Sequence, residues 1–409
     1  MNVYLDRKIP PLDIIRILPG QWVVIKPNLV KESKENDPDE WQSVITSPEL
    51  IRAVASHVCR ELRGSGKVTI CDAPQTDSSF RKIDQRLGLY AMAEELSRQF
   101  RIPVEVMDLR NEEWTNEGGV ITNRTKLAGD PNGTIRFNLG DKSLFYKHPG
   151  EGHYYGADYD YNVTNNHHRG PVHEYLICAT PILADVFICL PKLKTHKKTG
   201  VTLSLKNLVG INADKNWLPH HTFVPPGKGG DEFPDISLKR WIETHGARAV
   251  KRRLISIPRI CPSLARFFRQ RGGVVFGTGD NTIRSGNWYG NDTTWRMALD
   301  LNRCLMYGNP EGTLGNERPK SYYTVVDGET GMEGNGPMQG TPRKCGIYLA
   351  GTDPVAVDAV AATMMGFDWK KIPIIREAFG LTRLPLSFCQ PERSEERRVG
   401  KECRSRRSV

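Results

Sequence analysis

None of the nine cysteines lies at C-x-x-C spacing from another; they stand singly at positions 59, 71, 178, 189, 261, 304, 345, 389 and 403. That scatter argues against zinc or iron–sulfur ligation and fits isolated buried thiols, so no iron–sulfur cluster is expected. No window approaches the eighteen or more apolar residues of a membrane span. The opening MNVYLDRKIPPLDII lacks the basic, then apolar, then small-residue order of a signal peptide, and the two absences together lead to the expectation of a cytoplasmic protein. Walker A, the Rossmann glycine fingerprint, the nucleophile elbow and H-E-x-x-H are missing as well, which removes the chemistries with strong signatures.

Acidic residues are the scarcer charge, with 47 Asp and Glu against 57 Lys and Arg, a formal net charge of +10. The tail Glu392 to Val409 holds seven basic and four acidic residues, so the rest of the chain is nearer +7. With two valines as its only aliphatic residues and no helical stripe, this tail is expected to be non-native or disordered and to lie outside the fold. Segment 239–271 is rich in Lys and Arg, holds a single Glu, and interleaves its charge with Ile, Leu, Val and Phe. Such basic amphipathic material suits an acidic protein partner or a membrane surface, or is a plain surface helix; net charge alone does not make a specific nucleic-acid binder.

What is present is an alternation of strands and helices. Trp22 to Ile25 reads as a short strand, and Ser47 then caps a helix with Pro48 at its first position and Leu50, Val54, Val58 and Leu62 along one stripe. Lys67 to Cys71 is the next strand, a helix is expected over about Ser79 to Gln99, and Val104 to Met107 is a third strand. Later strands are expected at Val186 to Leu190, Tyr322 to Val326 and Gly346 to Ala350, followed by a helix capped by Thr352 or Asp353. The expected fold is α/β: one domain over 1–391, a mostly parallel sheet with flanking helices, and two polar insertions. The core falls in 21–110, 172–212 and 320–380, the insertions at 111–171 and 218–271. In the first insertion, His167 and His168 fit either metal ligands or a polar lid loop.

The stretch Asp185 to Asn212, DVFICLPKLKTHKKTGVTLSLKNLVGIN, is chemically one-sided. Pro191 ends an apolar strand, and from Lys192 to Lys206 there are five lysines, His196 and several hydroxyls without a carboxylate. This reads as a lysine-rich loop, with a short helix from near Thr199 or Thr202 that Gly210 stops; alternation of Val201, Leu203 and Leu205 leaves a strand open instead. Free amides at such a helix start, beside ammonium groups, suit a phosphate or carboxylate.

LPKLKTHKKTGVTLSLKNLVG, with KPN at Lys26 to Asn28, DGETGMEGNGP from Asp327 and GTDPVAVDAVAATMMG from Gly351, resembles the bacterial and archaeal family catalogued as domain of unknown function 362. SGNWYGNDTTWRMALDLNR, Ser285 to Arg303, resembles a branch signature associated with surface polysaccharide clusters. The resemblance implies little chemistry, since no activity defines the family. Some relatives carry an added ferredoxin-like cysteine module, whose spacing is absent here.

Four strands are each followed at once by polar groups: Lys26 and Asn28, Asp72, then Lys192, Lys194 and His196, then Asp327 and Glu333. If the strands are parallel, these line one edge of the sheet as a cleft with cations on one side and carboxylates on the other. His196, Lys194 and Asp327 are the catalytic candidates. Lys26, Asn28, Lys192, Thr195, Thr199, Lys206, Asn207 and Asn335 are candidates for ligand binding, and Asp327, Glu333 and Asp72 for Mg²⁺. Two functions stay open: an enzyme acting on an anionic small molecule, within surface polysaccharide assembly, or a non-catalytic anion-binding or assembly protein.

Overall fold

The computed structural model describes residues 3–6, 12–34, 37–117, 120–158, 160–232 and 291–389. The basic segment 239–271, the opening of the Ser285 signature and the tail lie outside them. The described residues form a mixed α/β structure around one nine-stranded sheet. Its strands are β1 (Tyr4–Asp6), β2 (Trp22–Pro27), β3 (Lys67–Asp72), β4 (Val104–Asp108), β5 (Val186–Leu190), β6 (Lys192–His196), β7 (Gly200–Thr202), β8 (Ser321–Glu333) and β9 (Thr341–Gly351). Across the sheet the order is β1-β9-β8-β5-β2-β3-β4, and β6 and β7 extend it beyond the end of β5. The strands from β8 to β4 run parallel, while β9 is antiparallel to β8 and β1 to β9.

Parallel strands are covered on both faces, which is why VVI and VFICL read as unbroken apolar runs. Alternate residues feed two cores. Val23, Ile25, Val186, Ile188 and Leu190 face helices α1 (Pro48–Leu62), α2 (Phe80–Leu87) and α3 (Leu89–Phe100); Val24, Phe187 and Cys189 face the other way. That second core includes α5 (Thr294–Tyr307) and α6 (Pro354–Met364), with a one-turn helix α4 (Ser204–Asn207) close to the sheet. The caps follow the sequence: Ser47 Oγ accepts from the Leu50 amide, and Asp353 Oδ1 from those of Val355 and Ala356. The single helix expected over 79–99 is broken into α2 and α3, because Gly88 takes a left-handed conformation at φ 63°.

Strands β8 and β9 run well past their expected ends, since GETGME stays paired with TPRKC across an irregularity between Gly328 and Thr330. Segment 111–178 builds small sheets of its own, and Phe137, Phe145, Tyr154 and Tyr175 join the core that α5 covers. The lid-loop reading of His167 and His168 is corrected here. His168 is fully buried among Phe145, Tyr154 and Tyr175 with Nε2 on the Trp217 carbonyl, and His167 stacks on Trp217 while pairing with Glu174 at 2.8 Å.

Candidate functional site

The lysine-rich stretch is a strand, not a solvated loop. Pro191 lacks a donor, but its carbonyl accepts from the Asp327 amide at 2.8 Å, and β6 then pairs with β8 in register Lys192 to Asp327. The period of two puts Lys192, Lys194 and His196 on one face, with Leu193 and Thr195 on the other. All five are buried. A strand with three cationic or basic side chains on one face can be buried only if the fold supplies partners.

One carboxylate does so for Lys192, and a second holds Lys26 at the end of β2. Lys192 Nζ is 2.9 Å from Asp327 Oδ2, and Lys26 Nζ is 2.8 Å from Asp72 Oδ1. Lys26 Nζ also donates to Asn207 Oδ1, which accepts from Asn28 Nδ2 as well, and Lys194 Nζ donates to Asn28 Oδ1 and the Val44 carbonyl. The ends of β2 and β3, strand β6 and helix α4 are thus joined in one hydrogen-bonded network, as the strand-end pattern led us to expect. The arrangement differs in one respect: cations and carboxylates alternate as pairs and do not form opposite walls.

The remaining candidates fall elsewhere. Glu333 is exposed and pairs with Arg343 at 3.1 Å, because β8 carries it six residues beyond Asp327 and out of the core. Asn335 is exposed in the following turn. Thr195 and Thr199 donate to the carbonyls of Gly334 and Val201 and so brace the hairpin. Asp327 and Asp72, two of the expected Mg²⁺ ligands, are held by other groups of this chain. Asp327 accepts from Lys192 and the Ser47 amide on one oxygen and from the Glu329 amide on the other; Asp72 Oδ2 accepts from the Leu29 amide, and its Oδ1 is ion-paired with Lys26 without a hydrogen bond. All four oxygens are engaged by this chain.

The helix argument also changes. The chain is strand through Thr202 and helix only from Ser204, and the amides of Ser204 and Leu205 are taken at 2.9 and 3.0 Å by Asp358, a carboxyl that burial pushes up to about 7. No free helix start is left for a ligand. Gly210 lies within a 3₁₀ turn, Leu208–Ile211, and its role is space: a Cβ there would stand 1.9 Å from Asp72 Oδ1 and 2.7 Å from Lys26 Nζ.

Lys206 stands apart from the other lysines. It is 9 % exposed, and among the described residues its ammonium has no hydrogen-bond or ion-pair partner. Burial, then Lys215, Lys198 and Lys26, pushes it down to about 7, and no carboxylate offsets them. His196 lies well below the ordinary histidine range through burial and then Lys206; its Nδ1 accepts from the amides of Lys198 and Thr199, which places the ring hydrogen on Nε2. Burial, with Lys192 and Lys206 next, holds Lys194 well below the usual lysine range. His220 belongs to the same cluster, lowered by burial, Lys198 and Lys206. Thr202 Oγ1, directly across the hairpin from Lys194, is buried without a partner. Lys215 and His220 were not foreseen, and their only sequence signal is more basic residues soon after the lysine strand. Clefts of about 410 and 450 Å³ are lined by other residues.

The chain belongs to the family described as Domain of unknown function (DUF362), which it matches over residues 23–131 and 139–363. Every residue of the network and of the Lys206 cluster falls inside that match. The chain is similar to the Thylakoid-associated protein sll1697 of Synechocystis sp., with 25% identity over 209 residues that make up 50% of this chain and 41% of that protein. A crystal structure of a Thermotoga maritima protein from the Northeast Structural Genomics Consortium aligns at 13% identity and a TM-score of 0.36, over 87% of this chain and 56% of that one. The chain spans well under two thirds of either. Among the described residues no helix is long and apolar enough to cross a membrane.

Proposed function

We propose that the protein is an enzyme that binds a small phosphate- or carboxylate-bearing compound at Lys206. One observation carries the reading: a nine-tenths buried cation with no counter-charge among the described residues, beside further lysines that add to its charge. Leaving a buried charge unpaired is costly, and an anion would offset that cost. His196 contributes an Nε2 donor, and a lysine that titrates near neutrality can move protons at physiological pH. Recognition is direct, through cations, since Asp72 and Asp327 are already engaged. A cytoplasmic location and a role in surface polysaccharide assembly complete the proposal, supported by sequence alone.

A second reading, anion holding without turnover, is favoured by one fact: both aspartates of the network are consumed by ion pairs, which leaves few groups to act as a base. The test is the melting temperature in inorganic phosphate and in pyruvate against chloride of equal ionic strength, for wild type and Lys206→Gln. Binding at a hundred times Kd adds about 2.7 kcal/mol. Stabilisation that chloride reproduces, or that Lys206→Gln retains, overturns the site.

A further inference from the structure

We propose that Lys206 is a nucleophile that forms a Schiff base with a carbonyl compound carrying a carboxylate or phosphate group. This rests on the anion-site reading and names its substrate class. A lysine attacks a carbonyl only as the free amine, and proteins obtain that form by burying the nitrogen away from counter-charge and next to other cations.

The buried lysines of this chain can be sorted by that requirement. Lys26 and Lys192 each hold a carboxylate. Lys194 donates to Asn28 Oδ1 and the Val44 carbonyl, Lys215 to the Ala73 carbonyl, and Lys320 to the carbonyls of Pro181, Ile182 and Ala184. Their nitrogens are all tied down as donors. Among the described buried lysines only Lys206 has no acceptor, and its charged neighbours are Lys26, Lys198 and Lys215. The same cations that repel a proton from Lys206 attract the anionic group of a substrate, so one arrangement both frees the amine and brings the carbonyl to it.

The step balances without a further reagent. The Nζ lone pair forms the C–N bond, the carbonyl π electrons move to oxygen, and the oxygen then leaves as water with the two hydrogens of the amine, giving the C=N bond. The adjacent anionic group keeps its charge throughout.

The test treats full-length protein at pH 7 with pyruvate, with dihydroxyacetone phosphate, or with acetone, adds borohydride, and maps adducts by mass spectrometry. One reduced adduct is expected, on the peptide containing Lys206, with a charged carbonyl compound and not with acetone; the compound that labels tells carboxylate from phosphate. Its excess over exposed lysines should be on the order of a thousandfold, because an ordinary lysine is almost wholly ammonium at pH 7. Lys206→Arg should abolish it, and if that variant does not fold the wild-type map decides alone. Labelling that is absent, or spread over surface lysines, overturns the proposal. If it is absent while phosphate still raises the melting temperature through Lys206, the Schiff base falls and the anion site stands; if both fail, both fall.

Discussion

Lys26 and Asp72 meet at 2.8 Å across neighbouring parallel strands, and Gly210 lies so close over the pair that a single methyl group there would stand 1.9 Å from the carboxylate. Gly210→Ala is expected to part them and to cost about 3 kcal/mol or more, as breaking a buried pair does. A melting temperature equal to wild type would show that the turn is not packed on the pair.

The pair itself is suited to a double-mutant cycle. Lys26→Met and Asp72→Asn should each cost about 3–5 kcal/mol by leaving a buried partner uncompensated, while the double variant costs much less than their sum. Urea unfolding measures all three. Simple additivity would mean that the two side chains do not meet.

Mg²⁺ is expected to leave phosphate stabilisation of the wild type unchanged, because every oxygen of Asp72 and Asp327 is already bound by this chain. Asp327→Asn should destabilise by removing the partner of Lys192, in either medium. A magnesium-dependent gain that Asp327→Asn abolishes would restore a metal-bridged site.

Lys206 gives a signed pH dependence. Its value is about 7 in the fold and near 10.5 when unfolded, so between those values the unfolded chain holds a proton that the native one lacks. Stability contributed through this group rises with pH across that window, and the full penalty is present below about 7. Lys206→Met is expected to be the more stable protein at pH 7 without ligand, by on the order of a few kcal/mol, with the difference fading toward pH 10. Unfolding at pH 7 and 9 tests this, and a variant no more stable than wild type at pH 7 contradicts it.

Much of this was legible from sequence wherever the cause is local. Ser47 with Pro48, and Asp353 with Pro354, announce helix starts because a cap needs only its next few residues. The polar groups after the apolar runs were also readable, since buried parallel strands end abruptly. KLKTH reads as a loop because lysines usually mark solvent, although its strict alternation is also a strand signal. The counter-charges were not readable at all: Lys192 finds Asp327 across 135 residues, and no spacing encodes such a partner. Lys206 is special only through what does not reach it, which a sequence cannot show.

The same 135-residue separation sets an order of events. A chain emerging from the ribosome as far as Asn212 has its lysine strand but neither β8, which β6 pairs with in parallel, nor the carboxylate for Lys192. Contacts between residues so distant in sequence carry a large loop-closure cost and tend to form late. Until residue 327 arrives, Lys192 does better in water than in the core, so β6 has reason to stay open while β2, β3 and β4 can already pair. The β6 hairpin that carries His196 is completed last, so a truncated or half-folded chain should lack the proposed anion site.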